Sequence, residues 1–209
     1  MNYLVTGTDT GVGKTYITTG LIRFARSLGI DCIGMKPICT GDNHDVREIA
    51  AASGSAEPEN LLNPIWYRTP VAPYTAAIIE NRLTDIFAIQ SAFETLSKRH
   101  SAVLVEGAGG VAVPIRVDYD FRDLAKDLAL KIIVVAANRL GVLNHTRLTI
   151  EAIRSASLDC SLIVLNSAIA ETDLSQSTNL SVLENLLDVP IIAVERDQKE
   201  FGRLIERLF

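Results

Sequence analysis

Several signals of a specialised protein are missing from this chain. Its three cysteines, Cys32, Cys39 and Cys160, are odd in number and widely spaced, so they offer neither a disulfide framework nor a paired metal motif. They are expected to be small buried apolar side chains in a reducing cytosol. No apolar run in the sequence reaches the roughly 18 residues of a membrane span. The first strand pattern starts almost at Met1, which leaves no room for a signal peptide and points to a cytoplasmic protein. The net charge of −5 lacks the basic footprint of a nucleic-acid binder. The histidines at 44, 100 and 145 have no metal spacing. No repeat, linker or low-complexity stretch interrupts the chain.

What remains is an ordinary globular composition, 48% hydrophobic and 22% charged over 209 residues, a length that suits one domain spanning 1–209. Short apolar runs alternate with longer helical patterns. NYLVT (2–6), DCIGMK (31–36), SAVLVE (101–106), KIIVVAA (131–137), CSLIVLN (160–166) and PIIAVE (190–195) read as strands. Helices are predicted over Gly13 to Leu28, near His44 to Ala52, over about 85–99 with Thr84 as N-cap, and over Asp120 to Ala129, Asn144 to Ser157 and Leu174 to Leu187, by apolar spacing and capping residues. Residues 54–75, with four prolines, read as loop with short extended pieces. A short helix ends the chain, with Phe201, Leu204, Ile205, Leu208 and Phe209 on one face. That stripe can dock on the core or a partner, or lie on a membrane surface; its mixed charges favour docking.

Continuous Val/Ile/Leu runs, without strict alternation, predict an α/β fold with a mostly parallel sheet covered by helices on both faces. Ligands then sit at the carboxyl ends of the strands. The segments 7–15, 36–45, 106–110, 138–144 and 166–168 all follow strands and should converge there.

The first of these is GTDTGVGKT, Gly7 to Thr15, in the order strand, glycine-rich turn, helix. Its backbone N–H groups suit phosphates, Lys14 adds a charge for the β- and γ-phosphates, and the Thr15 hydroxyl can ligate Mg²⁺. Together these make a P-loop NTPase-type three-layer fold the expectation. The usual G-x-x-x-x-G-K-[ST] spacing places its first glycine at position 8, where this chain has Thr8; Gly7 lies one place earlier. Lys36 ends a strand before Pro37, where it can meet transferring phosphate or a substrate carboxylate, or simply be solvated. Asp45 can bind Mg²⁺ or serve as a favourable helix-start charge. Glu106, at the end of AVLV, sits where acids complete the coordination of a phosphate-bound Mg²⁺, and Gly107, Gly109 and Gly110 permit close backbone approach. Asn166 can read a purine edge or form a local turn. The segment 138–146 can hold a carboxylate on its N–H groups or be an ordinary loop. No Asn-Lys-x-Asp base-reading pattern is present, which favours ATP.

TGTDTGVGKT, MKPICTG, Asp45, VEGAGGVAVPI, NRLGVLNH and VLNS occur in this order over most of the chain, and together they resemble the dethiobiotin synthetase family. Within that family GTDTxVGKT, with its extra residue, is the normal loop. The resemblance implies a homodimer that uses ATP and Mg²⁺ to convert 7,8-diaminopelargonate and CO₂ to dethiobiotin. It implies Lys14 and Lys36 as catalytic cations, and Thr15, Asp45 and Glu106 as metal ligands. Gly11, Val12, Gly13, Lys14, Thr15, Tyr16, Gly107, Ala108, Gly109 and Asn166 would hold the nucleotide, with further adenine contacts near Val194 to Arg196. Thr40 would contact substrate, whose carboxylate would meet Gly141, Val142, Leu143 and Asn144 reaching across from a partner. The rival reading is a partition or cell-division switch ATPase of the same fold. Such proteins usually carry a lysine two residues after the loop's first glycine, where this chain has Asp9.

Overall fold

The computed structural model describes residues 1–54, 56–168, 173–195 and 200–209. The first half contains β1 (Asn2–Gly7), α1 (Lys14–Ser27), β2 (Cys32–Met35), β3 (Ile38–Thr40), α2 (His44–Ser53), α3 (Glu59–Leu62), β4 (Ile65–Tyr67), α4 (Pro73–Ile79) and α5 (Ile86–Arg99). The second half contains β5 (Ala102–Gly110), β6 (Pro114–Arg116), β7 (Tyr119–Asp120), α6 (Phe121–Asp127), β8 (Lys131–Ala137), α7 (Val142–Ser155), β9 (Cys160–Asn166), α8 (Gln176–Leu186), β10 (Ile191–Val194) and α9 (Phe201–Leu208).

Six strands form one parallel sheet in the order β10-β9-β8-β1-β5-β2. Its apolar runs do not alternate because both faces are covered. Within β1, Tyr3 and Val5 enter one core with Ile17, Leu21 and Ile22 of α1. Leu4 enters the other core with Ile89 and Phe93 of α5 and Ile150 and Ile153 of α7. Each such fully buried side chain contributes about 1.5–3 kcal/mol. From β1 the chain crosses to β2 on one side, and from β5 to β8 on the other. The order therefore reverses beside β1, where open parallel sheets bind ligands.

The α9 stripe docks on the core. Phe201, Leu204, Ile205 and Leu208 are buried, and the Phe201 ring fills space over Gly20 of α1, where an added Cβ would lie 2.3 Å from it.

Four readings needed correction. Thr84 does not cap α5: its hydroxyl is buried against the Tyr67 hydroxyl at 2.8 Å, and Asp85 caps instead, accepting from the Ala88 N–H at 3.0 Å. Residues 107–110 are strand, not loop, because β1 continues to pair with β5 as far as Gly7 opposite Gly110. Helix α7 starts at Val142, two residues early, because Gly141 at φ 96° makes the turn. Between 54 and 75 the chain forms α3, β4 and the start of α4, whose first residue is Pro73, a position where the missing N–H costs nothing.

Candidate active site

The loop after β1 is shaped by what its residues cannot do. A Cβ on Gly7 would sit 2.6 Å from the Asp9 carbonyl oxygen and 2.8 Å from Val12 Cγ2, so only glycine lets the chain turn there. Gly13, at φ 89°, precedes α1 with no side-chain cap, and the first turn of α1 contains no acid. Its N–H groups are left for an anion. The loop is braced from below: Val12 is buried in the core, and Asn166 Nδ2 donates to the Val12 carbonyl at 3.0 Å.

Lys14 is 7% exposed and its Nζ donates to the Asp9 carbonyl at 3.2 Å. Burial, and then the charge of Lys36, lower its pKa to about 8, against the pull of Glu106, Asp45 and Asp9. Above that value the free lysine is neutral, whereas a bound triphosphate favours its charged form. Nucleotide affinity should therefore be flat below pH 8 and fall by up to about tenfold per unit above it. Titration of a fluorescent ATP analogue from pH 7 to 9.5 should show this break, and the Lys14→Met protein should lack it.

Lys36 follows β2 directly, and its backbone is fixed from both sides. Its N–H donates to the Leu62 carbonyl at 2.8 Å, and Asn63 Nδ2 donates to its carbonyl at 2.7 Å. Its Nζ donates to Asp45 Oδ2 at 2.8 Å, Glu106 Oε1 at 2.7 Å and the Gly107 carbonyl at 3.4 Å. Burial would lower the pKa of this ammonium, but Glu106 and Asp45 outweigh it and hold it well above the usual lysine range. Burial likewise pushes the Asp45 carboxyl up, and is outweighed by the charge and hydrogen bond of Lys36, a bond to Thr15 and the charge of Lys14, so it lies below its ordinary value. Thr15 Oγ1 donates to Glu106 Oε1 at 2.9 Å. Glu106 is fully buried, and its Oε2 has no hydrogen-bond partner.

That orphaned oxygen tests whether a divalent cation fits. A buried carboxylate oxygen without a donor is costly unless a cation approaches it. Thr15, Asp45 and Glu106 supply one hydroxyl and two carboxylates, and no cluster of three His, Cys, Asp or Glu exists among the described residues. Mg²⁺ needs no all-protein cage when phosphate and water complete its shell, so the residues fit.

These groups line one cleft of about 740 Å³, together with Gly11, Gly13, Thr40, Ala108 and Gly109. Of the other expected residues, Gly107 contributes its carbonyl to Lys36. Tyr16 turns toward α9, its ring 6.2 Å from that of Phe201. Asn166 is fully buried, with Oδ1 accepting from the Ala168 N–H. Val194 is buried; Arg196 lies outside the described residues. Gly141 to Asn144 do not line this cleft; they open α7, where the Val142 side chain points into the core and leaves only its backbone to offer.

The opposite wall was not anticipated. Pro70 to Pro73, Ile38, Cys39 and Val113, with Thr10 of the phosphate loop, complete the cleft, and the exposed Trp66 pins the turn after Thr40 by donating to the Gly41 carbonyl at 2.8 Å. The sequence signal for this wall was Pro-x-x-Pro at 70–73, a fixed extended approach into a helix.

A family model described as an AAA domain matches residues 1–196. Among solved structures, the septum site-determining protein MinD of Pyrococcus horikoshii, complexed with Mg-ADP, superposes with a TM-score of 0.58 at 15% identity, covering 99% of this chain and 86% of that one. The hydrogenase maturation factor HypB of Archaeoglobus fulgidus gives 0.57 at 17%, covering 100% and 88%. At such identities the likeness is one of fold, the P-loop NTPase fold expected from the loop. Sequence relatives are far closer. The ATP-dependent dethiobiotin synthetase BioD of Akkermansia muciniphila is 39% identical over 210 residues, covering 99% of each chain. That of an Anaeromyxobacter species is 45% identical over 173 residues, covering 81% of this chain and 77% of its own. Identity of this extent, over a chain whose loop, strand-end lysine and buried strand glutamate meet in one cleft, establishes that the chain belongs to the ATP-dependent dethiobiotin synthetase family.

Proposed function

We propose that this cleft carries out the family's reaction, in which 7,8-diaminopelargonate, CO₂ and ATP give dethiobiotin, ADP and phosphate. One amine of the substrate adds to CO₂ and loses a proton, giving a carbamate. The γ-phosphoryl group passes from ATP to a carbamate oxygen, releasing ADP. The second amine then attacks the activated carbonyl, closes the ureido ring and expels phosphate. Such chemistry needs positioning and charge neutralisation rather than a protein nucleophile.

The observation that carries this reading is Lys36. Its ammonium lies among the carboxylates and near Thr40 in one cleft with the phosphate loop, so a cation stands where carbamate and phosphoryl group would meet. The loop N–H groups and Lys14 would hold the β- and γ-phosphates. Thr15, Asp45 and Glu106 would hold Mg²⁺, which when bound neutralises phosphate charge. Thr40 would orient the substrate. Asn166 fixes the loop from beneath, and reaching a base would require it to exchange its bond to Val12.

The family's homodimer is supported by where 141–144 lies. These residues are outside the cleft of one chain and flanked by Leu140 and Leu148, which are 82% and 57% exposed. A second copy would cover those leucines and bring the N–H groups opening α7 to a substrate carboxylate. The whole chain would then act as one synthetase domain in each subunit. Purified protein should form ADP only when diaminopelargonate and bicarbonate are both present. Equal ADP formation without the diamine, followed in a coupled assay, would sink this reading.

A further inference from the structure

We propose that Lys36 is the internal counter-ion of the metal site. In the protein without nucleotide, its ammonium neutralises the two carboxylates that a divalent cation would use, and metal arriving with nucleotide displaces it toward the substrate. This rests on Asp45 and Glu106 being the metal carboxylates.

The geometry is specific. The Lys36 ammonium has three hydrogens and meets three acceptors: Asp45 Oδ2, Glu106 Oε1 and the Gly107 carbonyl. It has no donor capacity to spare and is 5% exposed. Glu106 Oε1 also accepts from Thr15 Oγ1 at 2.9 Å, so the hydroxyl expected on the metal is engaged by the same oxygen. Two cations on the same pair of carboxylates repel each other, the more so because Glu106 is fully buried. Without any cation, the two carboxylates would repel each other, and the fully buried Glu106 would lack any neutralising partner. The ammonium resolves this while the site is empty. A phosphate-bound metal supplies the same neutralisation and adds anionic charge nearby. The freed ammonium then finds its next anion within the cleft, which Thr40 also lines. Lys36 is thus delivered to the reacting group only after nucleotide and metal are in place.

The contrary arrangement is also definite. The metal could use Glu106 Oε2, which has no hydrogen-bond partner, with Lys36 staying where it is. Binding of Mn²⁺ alone to the nucleotide-free protein separates the two, measured as loss of the free aqua-Mn²⁺ signal in electron paramagnetic resonance. If Lys36 competes, Lys36→Met should bind Mn²⁺ about tenfold or more tightly than the parent, within the usual range of coupling between sites, and Lys36→Arg should stay as weak as the parent. Equal affinity in parent and Lys36→Met overturns the proposal. If Lys36→Met is unfolded by circular dichroism, Mn²⁺ alone should restore its fold, and failure to do so also overturns it. The metal assignment is checked separately by Glu106→Gln with ADP present. Unchanged Mn²⁺ affinity there removes the assignment itself, whereas weakened affinity together with identical parent and Lys36→Met proteins removes only the role of Lys36.

Discussion

Lys36→Ala should lower kcat by about 10²–10³-fold, the usual effect of deleting one preorganised group aimed at developing transition-state charge, while ATP affinity changes little. The asymmetry follows from where the ammonium sits. It touches Asp45, Glu106 and the Gly107 carbonyl and makes no hydrogen bond to the phosphate loop. Two changes in nucleotide binding oppose each other: losing a cation weakens attraction for the free anion, while uncovering two carboxylates strengthens attraction for its metal complex. On the transferring group nothing compensates. Steady-state kinetics with saturating diamine, beside equilibrium binding of ATP, separate the cases. Lost ATP binding with an intact kcat would make Lys36 a nucleotide residue only.

The second large effect is on the fold. Glu106→Ala should destabilise the nucleotide-free protein by about 3–5 kcal/mol, the typical result of leaving a buried charge without its partner. That corresponds to a fall in Tm of roughly 10 °C for a domain of this size. Glu106 is fully buried and accepts the shortest bond that Lys36 makes, 2.7 Å. Without Glu106, the remaining ion-pair partner of Lys36 is Asp45, whose side chain is 41% exposed and which neutralises the ammonium less well. Urea unfolding of parent, Glu106→Gln and Glu106→Ala should rank them in that order, since glutamine keeps an acceptor oxygen. An alanine variant as stable as the parent would mean that Lys36 escapes into solvent and is not held by the pair.

That stabilising role was not legible in the sequence, which presented Glu106 only as a strand-end acid of the metal-binding kind. Strands such as KIIVVAA and CSLIVLN could be read to their observed ends because burial on both faces makes them uniformly apolar and a polar residue marks each limit. The glycines of 107–110 carry no such mark, and partners on the neighbouring strand decide whether they extend the ladder. Thr84 had the right chemistry for a cap, and Tyr67, seventeen residues earlier, claimed its hydroxyl. Lys14, Thr15, Lys36, Asp45 and Glu106 were each visible as candidates from their place after a strand. Their bonding to one another depends on distances across 91 residues of chain, the separation of Thr15 from Glu106. The wall at Pro70 to Pro73 was hidden because a proline-rich stretch looks the same in sequence whether it faces water or a ligand.

The central position of β1 has a consequence for how the molecule is made. Its ladder partners are β5, beginning at Ala102, and β8, beginning at Lys131, and the Tyr3 hydroxyl donates to the carbonyl of Leu208, 205 residues away. On the ribosome the phosphate loop emerges before either partner, and the strand beneath it has nothing to pair with until β5 follows, Asn2 facing Val103. Closing contacts this distant in sequence is slow, so ATP in the cell cannot help the nascent chain begin folding. It can favour only the finished sheet, by mass action on the native state.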